Sequence, residues 1–187
     1  MSWLSDDRQR LAAERILDAA GELFADSADE GRGIGAVSMG DVARAAGCSR
    51  ATLYRYFADR HELHLAYVHR EARRVGRLVA ADVSRFRNPE RRLVAAILAA
   101  VHRVREAPAL SAWFASGDAA ATAELAQSSP VIEGLGLGVA GDPLAARWVV
   151  RVVVSLLVAP GRDAAEERAM VERFVVPALS PVVSAAP

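Results

Sequence analysis

SMGDVARAAGCSRATLYRYFADRHEL, residues 38–63, decides the fold of this chain. It divides into two short helices around a tight turn, with a third helix starting directly behind. Ser38 can cap the first, because its side-chain oxygen accepts an early backbone N–H and Asp41 can reach back to the cap. Met39, Val42, Ala43 and Ala46 follow at i, i+3, i+4 and i+7, so that helix buries one face. Gly47 supplies the freely turning backbone that ends it. Ser49 is placed to cap a second helix over Arg50 to Tyr56, and Asp59 with Glu62 gives the start signal of a third. Leu53 and Phe57, four residues apart, point inward, with Cys48 beneath the turn. This layout is a helix-turn-helix, and it points at DNA.

The outward face of the second helix carries the chemistry for that task. Arg50, Ala51, Thr52, Tyr54, Arg55 and Tyr56 are left facing out. Arginine bonds guanine edges with two donors, and an alanine or a threonine methyl sits against a thymine methyl. Ser, Thr and Tyr hydroxyls suit phosphate oxygens, which set register rather than sequence. Arg60, in the first turn of the next helix, places a cation and a helix N-terminus beside the backbone.

The stretch from Ile16 to Leu65 resembles the DNA-binding domain of the TetR (tetracycline repressor-like) family. The matching pieces are ILDAAGELFA (16–25), SMGDVARAAGCSRATLYRYF (38–57) and DRHEL (59–63). The resemblance implies Arg50, Ala51, Thr52 and Tyr54 near base edges or their sugars, and Ser38, Ser49, Tyr56 and Arg60 near phosphates. Two features depart from the family pattern. Gly40 stands where the family often carries a basic or long polar residue aimed at phosphate. The link from Phe24 to Ser38 is longer than usual by about five residues. It holds DSADEGRGIGA, acidic and glycine-rich, so a solvated loop is expected over 26–37, with Arg32 its one cation.

Charge is uneven along the chain. Overall, 23 basic residues balance 23 acidic ones, which excludes a bulk polyanion-binding composition. Residues 1–38 hold four Arg against eight acids, whereas 39–74 hold seven Arg against four. The positive patch therefore lies on the motif, as suits a specific reader better than a coating protein. Every basic residue is Arg, which with the high alanine content reflects genome composition rather than function.

At 187 residues, 52% of them apolar, the chain can bury a sizeable core. Its single cysteine excludes an internal disulfide and fits a reducing cytoplasm. MSWLSDDRQRL has no basic flank followed by an apolar stretch, so no secretion signal is expected. The rest of the chain reads as helical. One long helix is expected from Arg60 to about Phe86. Asn88-Pro89 starts another, with Leu93, Ile97, Val101 and Val104 on one face. Pro108 ends it ahead of a shorter helix through Trp113 and Phe114. Between Ser116 and Asp142 the chain is rich in Ala, Gly and Ser. Final helices are expected over Pro143 to Val158 and Asp163 to Ala178, followed by a frayed tail, SPVVSAAP.

Within RWVVRVVVSLLV (147–158), Arg147, Arg151 and Ser155 recur every fourth residue, one narrow polar stripe on a helix. Two arginines and a span of about sixteen residues argue against a membrane helix. A helix so apolar needs cover on several sides, which a second subunit supplies. Paired with Met170, Val171, Phe174, Val175 and Leu179 of the last helix, it can build a four-helix interface; Val152 joins the expected contact. The family resemblance implies the same dimer, and two recognition helices held apart read a two-fold symmetric site.

Other signals are weaker. GLGVAG (136–141) has the spacing of a dinucleotide fingerprint, but only DPLAAR separates it from the valine-rich segment, too little for the crossover helix; a flexible loop is expected there. His61 and His64, three apart, lack the partners of a metal site, and no catalytic arrangement stands out. Glu166 and Glu167 read as an exposed helix face.

The expectation is an all-α protein: a helix-turn-helix DNA-binding domain over 8–60, then a helical ligand-sensing and dimerisation domain over 61–187. No cofactor, metal or membrane is involved. The resemblance implies a small-molecule cavity among the middle helices, with His102, Trp113, Phe114, Trp148 and Arg151 as candidates for contact with a hydrophobic effector. For Arg151 the competing role is that of an interface cation paired with Glu166, Glu167 or Glu172. Function is then transcriptional regulation by a homodimer released from an inverted-repeat operator. The alternative is a helical protein-interaction module with a degenerate helix-turn-helix, favoured by Gly40 and the acidic loop.

Overall fold

The local signals of residues 38–63 become hydrogen bonds in the computed structural model, which describes residues 3–115, 134, 136–138 and 140–183. Helix α1 spans Trp3–Asp29, and a short 3-10 turn follows over Ile34–Ala36. Then come α2 (Met39–Ala45), α3 (Arg50–Tyr56) and α4 (Arg60–Val83). Helix α5 spans Pro89–Arg105 and α6 Pro108–Ala115. After them lie α7 (Pro143–Val158), α8 (Ala164–Met170), a π-helical turn (Val171–Val175) and α9 (Val176–Val183). The described residues contain no strand. No described helix is long and apolar enough to cross a membrane.

The chain divides into two compact units, Met1–Val68 with Pro108–Ser116, and His69–Ala107 with Gly117–Pro187. In the first, α1 lies against α2, α6 and the 3-10 turn, and α2 lies against α3. Ile16, Ala20, Phe24, Val42, Leu53 and Leu63 are buried there. Leu53 is fully enclosed, so its removal to Ala costs about 2–5 kcal/mol. The α1 and α4 helices approach closely at Gly21, where a Cβ would stand 2.8 Å from the Tyr67 ring.

The segment 26–37 is not the solvated loop expected. Residues 26–29 continue α1, and Ile34 and Val37 are buried. Ser27, itself buried, donates its hydroxyl to the Gly33 carbonyl at 2.7 Å, folding the glycine-rich stretch back on the helix. Gly33 permits this with φ +69°.

The second unit is built on α5, α7 and the C-terminal helices. Leu93, Ile97, Val101, Val149, Leu156, Val171, Val175 and Leu179 form its core. Asn88 caps α5 by accepting the Arg91 N–H at 2.8 Å, with Pro89 in the first turn as the sequence indicated. Asp142 caps α7 through the Leu144 and Ala145 N–H groups, both at 2.9 Å.

Two further expectations fail here. The described part of 134–141 is helical rather than a loop: residues 134, 136–138 and 140 lie in helix, and the Gly141 N–H donates to Leu137 at 2.8 Å. Its small residues serve close packing, since a Cβ on Gly136 would stand 2.8 Å from the Ala146 carbonyl oxygen. The last helix also runs past Ala178 to Val183 with Pro181 inside it. Pro177 has no N–H to offer Arg173, and its ring crowds that carbonyl. The helix widens one turn earlier, where the Val176 N–H donates five residues back to Val171. Residues 116–133, the Ala-, Gly- and Ser-rich span, lie outside the described residues.

Candidate nucleic-acid interface

Two capped helices and a glycine turn set the interface. Ser38 Oγ accepts the Asp41 N–H at 3.2 Å, and Asp41 Oδ2 accepts the Ser38 N–H at 3.2 Å, closing a reciprocal cap on α2. The Ser38 hydroxyl donates to the same carboxylate at 2.5 Å. These bonds, aided by Arg44, hold the Asp41 carboxyl below its usual pKa. Gly47, at φ +66°, then turns the chain away, with its N–H on the Arg44 carbonyl at 3.1 Å. Ser49 starts α3 by accepting the Thr52 N–H at 3.0 Å, a cap worth about 1 kcal/mol. Its hydroxyl also shares a 2.9 Å hydrogen bond with the Thr52 hydroxyl.

Helix α3 is anchored by Leu53 and, at its end, by Phe57, both buried. That anchoring turns Arg50, Ala51, Tyr54 and Arg55 to solvent, with Thr52 and Tyr56 half-buried beside them. Tyr54 keeps 49% of its surface exposed, unusual for a large aromatic. The Arg55 guanidinium lies 5.4 Å from the Tyr56 ring centre. Asp59 caps α4 by accepting the Glu62 N–H at 2.8 Å, and Glu62 returns to the Ala58 N–H at 2.6 Å.

All eight residues read from the sequence as DNA contacts therefore fall in the unit that carries α2 and α3. Arg60 has an occupation the sequence did not reveal. It donates to the Gly35 carbonyl at 2.5 Å and reaches the Val37 carbonyl at 3.5 Å, bracing the 3-10 turn. Both bonds use Nη1 of the guanidinium. Arg50 also has a neighbour that sequence spacing could not show: its guanidinium lies over Gly40. Gly40 has no positive φ, so its backbone alone does not call for glycine, which costs a helix interior about 0.5–1 kcal/mol relative to Ala.

Beneath the motif, His64 of α4 stands edge-on to Phe24, at 4.8 Å between ring centres, and to Trp113, at 5.7 Å. Its Nε2 is buried without a hydrogen-bond partner among the described residues. Burial first, then the charges of Arg60 and His61, push its pKa down to about 4. The imidazole is a neutral core ring at neutral pH, and the described residues hold no group of three or more metal-binding side chains.

The remaining candidates are scattered. Trp113 is buried and Phe114 half-buried on α6 of the first unit. In the second unit, His102 faces solvent and pairs with Glu106 at 3.2 Å. Trp148 and Arg151 are exposed on α7, Trp148 by 47%. Within the protomer Glu166 pairs with Arg162, Glu167 with Arg105 and Glu172 with Arg168. Of the residues expected at a dimer contact, Arg147, Ser155, Met170 and Phe174 are exposed and Val152 is half-buried. Val175 instead lies in the protomer's own core.

Residues 16–67 match the family model described as bacterial regulatory proteins, tetR family. An HTH-type transcriptional regulator of Mycobacterium tuberculosis, found in two strains, is 46% identical over 193 residues, covering 98% of this chain and 93% of the relative. The chain belongs to the TetR family. It is a DNA-binding transcriptional regulator rather than an enzyme, and α2 with α3 is its helix-turn-helix.

Solved structures share the fold at low identity. The TetR family repressor AlkX from Dietzia, implicated in biodegradation of n-alkanes, superposes with TM-score 0.67 at 22% identity, over 91% of this chain and 96% of its own. RolR in complex with resorcinol superposes with TM-score 0.66 at 19% identity, over 97% and 98%. This TetR-family chain thus has the helical architecture of those proteins along nearly its whole length.

Proposed function

We propose that the protein is a homodimeric repressor that leaves an inverted-repeat operator when a small, hydrophobic effector binds. The observation that carries the dimer is an uncovered apolar face on the C-terminal helices. Leu144 is 70% exposed, Trp148 47% and Val158 56% along α7, and Phe174 is 68% exposed on the π turn. Leu144, Trp148, Arg151, Ser155 and Val158 follow one another at helical spacing, so they share a side of α7. Met170, Phe174, Pro177 and Pro181 are exposed in turn along α8, the π turn and α9. Several large apolar side chains left exposed on neighbouring elements favour burial against a second copy, which covers them symmetrically.

Domain 8–60 reads DNA and domain 61–187 senses and dimerises in this reading. Arg50, Ala51, Thr52 and Tyr54 meet base edges or sugars; Ser38, Ser49, Tyr56 and Arg60 meet phosphates. Trp148 and Arg151 belong to the dimer face and His102 faces solvent, which leaves Trp113 and Phe114, on α6 of the first unit, as candidates for effector contact. AlkX is implicated in n-alkane biodegradation and RolR binds resorcinol, so small, largely hydrocarbon compounds are the class to screen first. Repression follows from differential affinity, since an effector that favours a dimer with mis-spaced α3 helices weakens operator binding. Sedimentation of the full chain with its selected operator tests this reading. Two protomers per site, released by an alkane or phenol, support it; a monomer on DNA overturns it.

A further inference from the structure

Gly40 and Arg50 form a pair that the DNA-reading role does not by itself explain. Gly40 lies in the first turn of α2 and Arg50 opens α3, ten residues later. A Cβ built on Gly40 would stand 3.0 Å from both Cζ and Nε of Arg50, and nearer still to Nη2. The guanidinium therefore occupies the space that any other residue at position 40 fills. Glycine is not required there by a positive φ.

The other cations around the motif are held by bonds. Arg44 pairs with Asp41 at 3.0 Å, Arg60 donates to Gly35, and Arg55 lies on the Tyr56 ring. No hydrogen bond or ion pair among the described residues holds Arg50, so its donors stay uncommitted, and its guanidinium lies in the space that Gly40 leaves open. Reading a guanine edge needs two of those donors together. Immobilising a long side chain only on binding costs affinity, and a seat made beforehand removes part of that cost.

We propose that Gly40 is a specificity-determining positioning residue: its bare Cα seats the Arg50 guanidinium so that Arg50 reads a G·C pair in each half-site. This rests on the assignment of Arg50 to base reading, and it predicts that filling position 40 changes sequence preference without weakening the fold. The guanidinium is the far end of a flexible side chain, so a methyl group at position 40 displaces it cheaply.

The experiment compares the full-length wild type, Gly40→Ala, Arg50→Ala and the double variant. Each is used to select sequences from one random duplex pool at physiological salt, with melting temperatures measured in parallel. Gly40→Ala is expected to raise Tm by about 2 °C. It should also reduce guanine preference about tenfold at one position per half-site, the position that Arg50→Ala also loses. The double variant should be no worse there than Arg50→Ala alone. Wild-type preference in Gly40→Ala, with a loss in Arg50→Ala, overturns the proposal while leaving Arg50 as a reader. Unchanged preference in Arg50→Ala overturns both the proposal and that reading of Arg50. No enrichment by the wild type overturns the operator-reading function and the proposal with it.

Discussion

Arg105, at the end of α5, grips Glu167 of α8 with both terminal nitrogens, at 2.7 and 2.9 Å. The carboxylate also accepts the Gly161 N–H at 3.0 Å, and Arg105 donates to the Leu156 carbonyl at 2.8 Å, near the end of α7. One arginine thus joins α5, α7 and α8 inside the second unit. Glu167 keeps only 5% of its side-chain surface, so it is a structural carboxylate rather than part of an exposed acidic face.

Removing Glu167 leaves the Gly161 N–H without its acceptor and Arg105 with the Leu156 carbonyl in place of an ion pair. Glu167→Ala is expected to destabilise the fold by about 3 kcal/mol in urea unfolding. Arg105, then Gly161, hold the Glu167 pKa below its ordinary 4.5. The pair's contribution is therefore complete above that value and is lost as pH falls through the lower folded pKa. An unfolding free energy that drops equally from pH 6 to pH 3 in wild type and Glu167→Ala would show that the pair contributes nothing.

His64 acts in a different window. The unfolded imidazole takes a proton near 6.5, but burial delays this in the fold until about 4. The unfolded chain binds more protons between those values, so stability falls as pH drops across them and the loss levels off below. His64→Phe keeps a ring against Phe24 and Trp113 and removes the orphaned nitrogen. Its stability should change less than that of the wild type between pH 6.5 and 5; equal slopes would place the imidazole in water.

Phe174 is the most exposed aromatic of the apolar face. Phe174→Asp should raise the dimer dissociation constant at least about a hundredfold with little change in helix content. Sedimentation that finds the same dimer in the variant would move the interface elsewhere.

Tyr54→Ala should lower specific DNA affinity at least about tenfold and leave the dimer intact. Arg60→Ala should weaken all sequences alike and reduce the salt slope by about one unit. A salt slope identical to wild type would confine Arg60 to bracing the 3-10 turn.

The parts of this molecule that were legible in the sequence are those written in local contacts. Ser38, Ser49, Asp59 and Asn88 each bond a backbone N–H three residues on, so their helix starts are visible in a short window. The span Pro143–Val158 is likewise bounded by its own cap and proline. What escaped depends on partners distant in sequence or on space. Ser27 folding onto Gly33, and Ile34 and Val37 entering the core, turn a loop-like composition into ordered structure. Arg105 and Glu167 are 62 residues apart, and neither carries a local sign of the other. Gly40 looked like a defect in the motif because the side chain that needs its space belongs to the next helix. The π turn follows from Pro177, yet proline alone more often signals an end than a widened turn.

In the proposed function a pair of α3 helices reads a two-fold symmetric DNA site. Selection of bound sequences from a random duplex pool at physiological salt, with the full-length wild type, tests it most directly. The account predicts an inverted repeat whose half-sites lie about one helical turn apart. A folded dimer that enriches no sequence, after denaturation and refolding to strip any small molecule carried through purification, would contradict it.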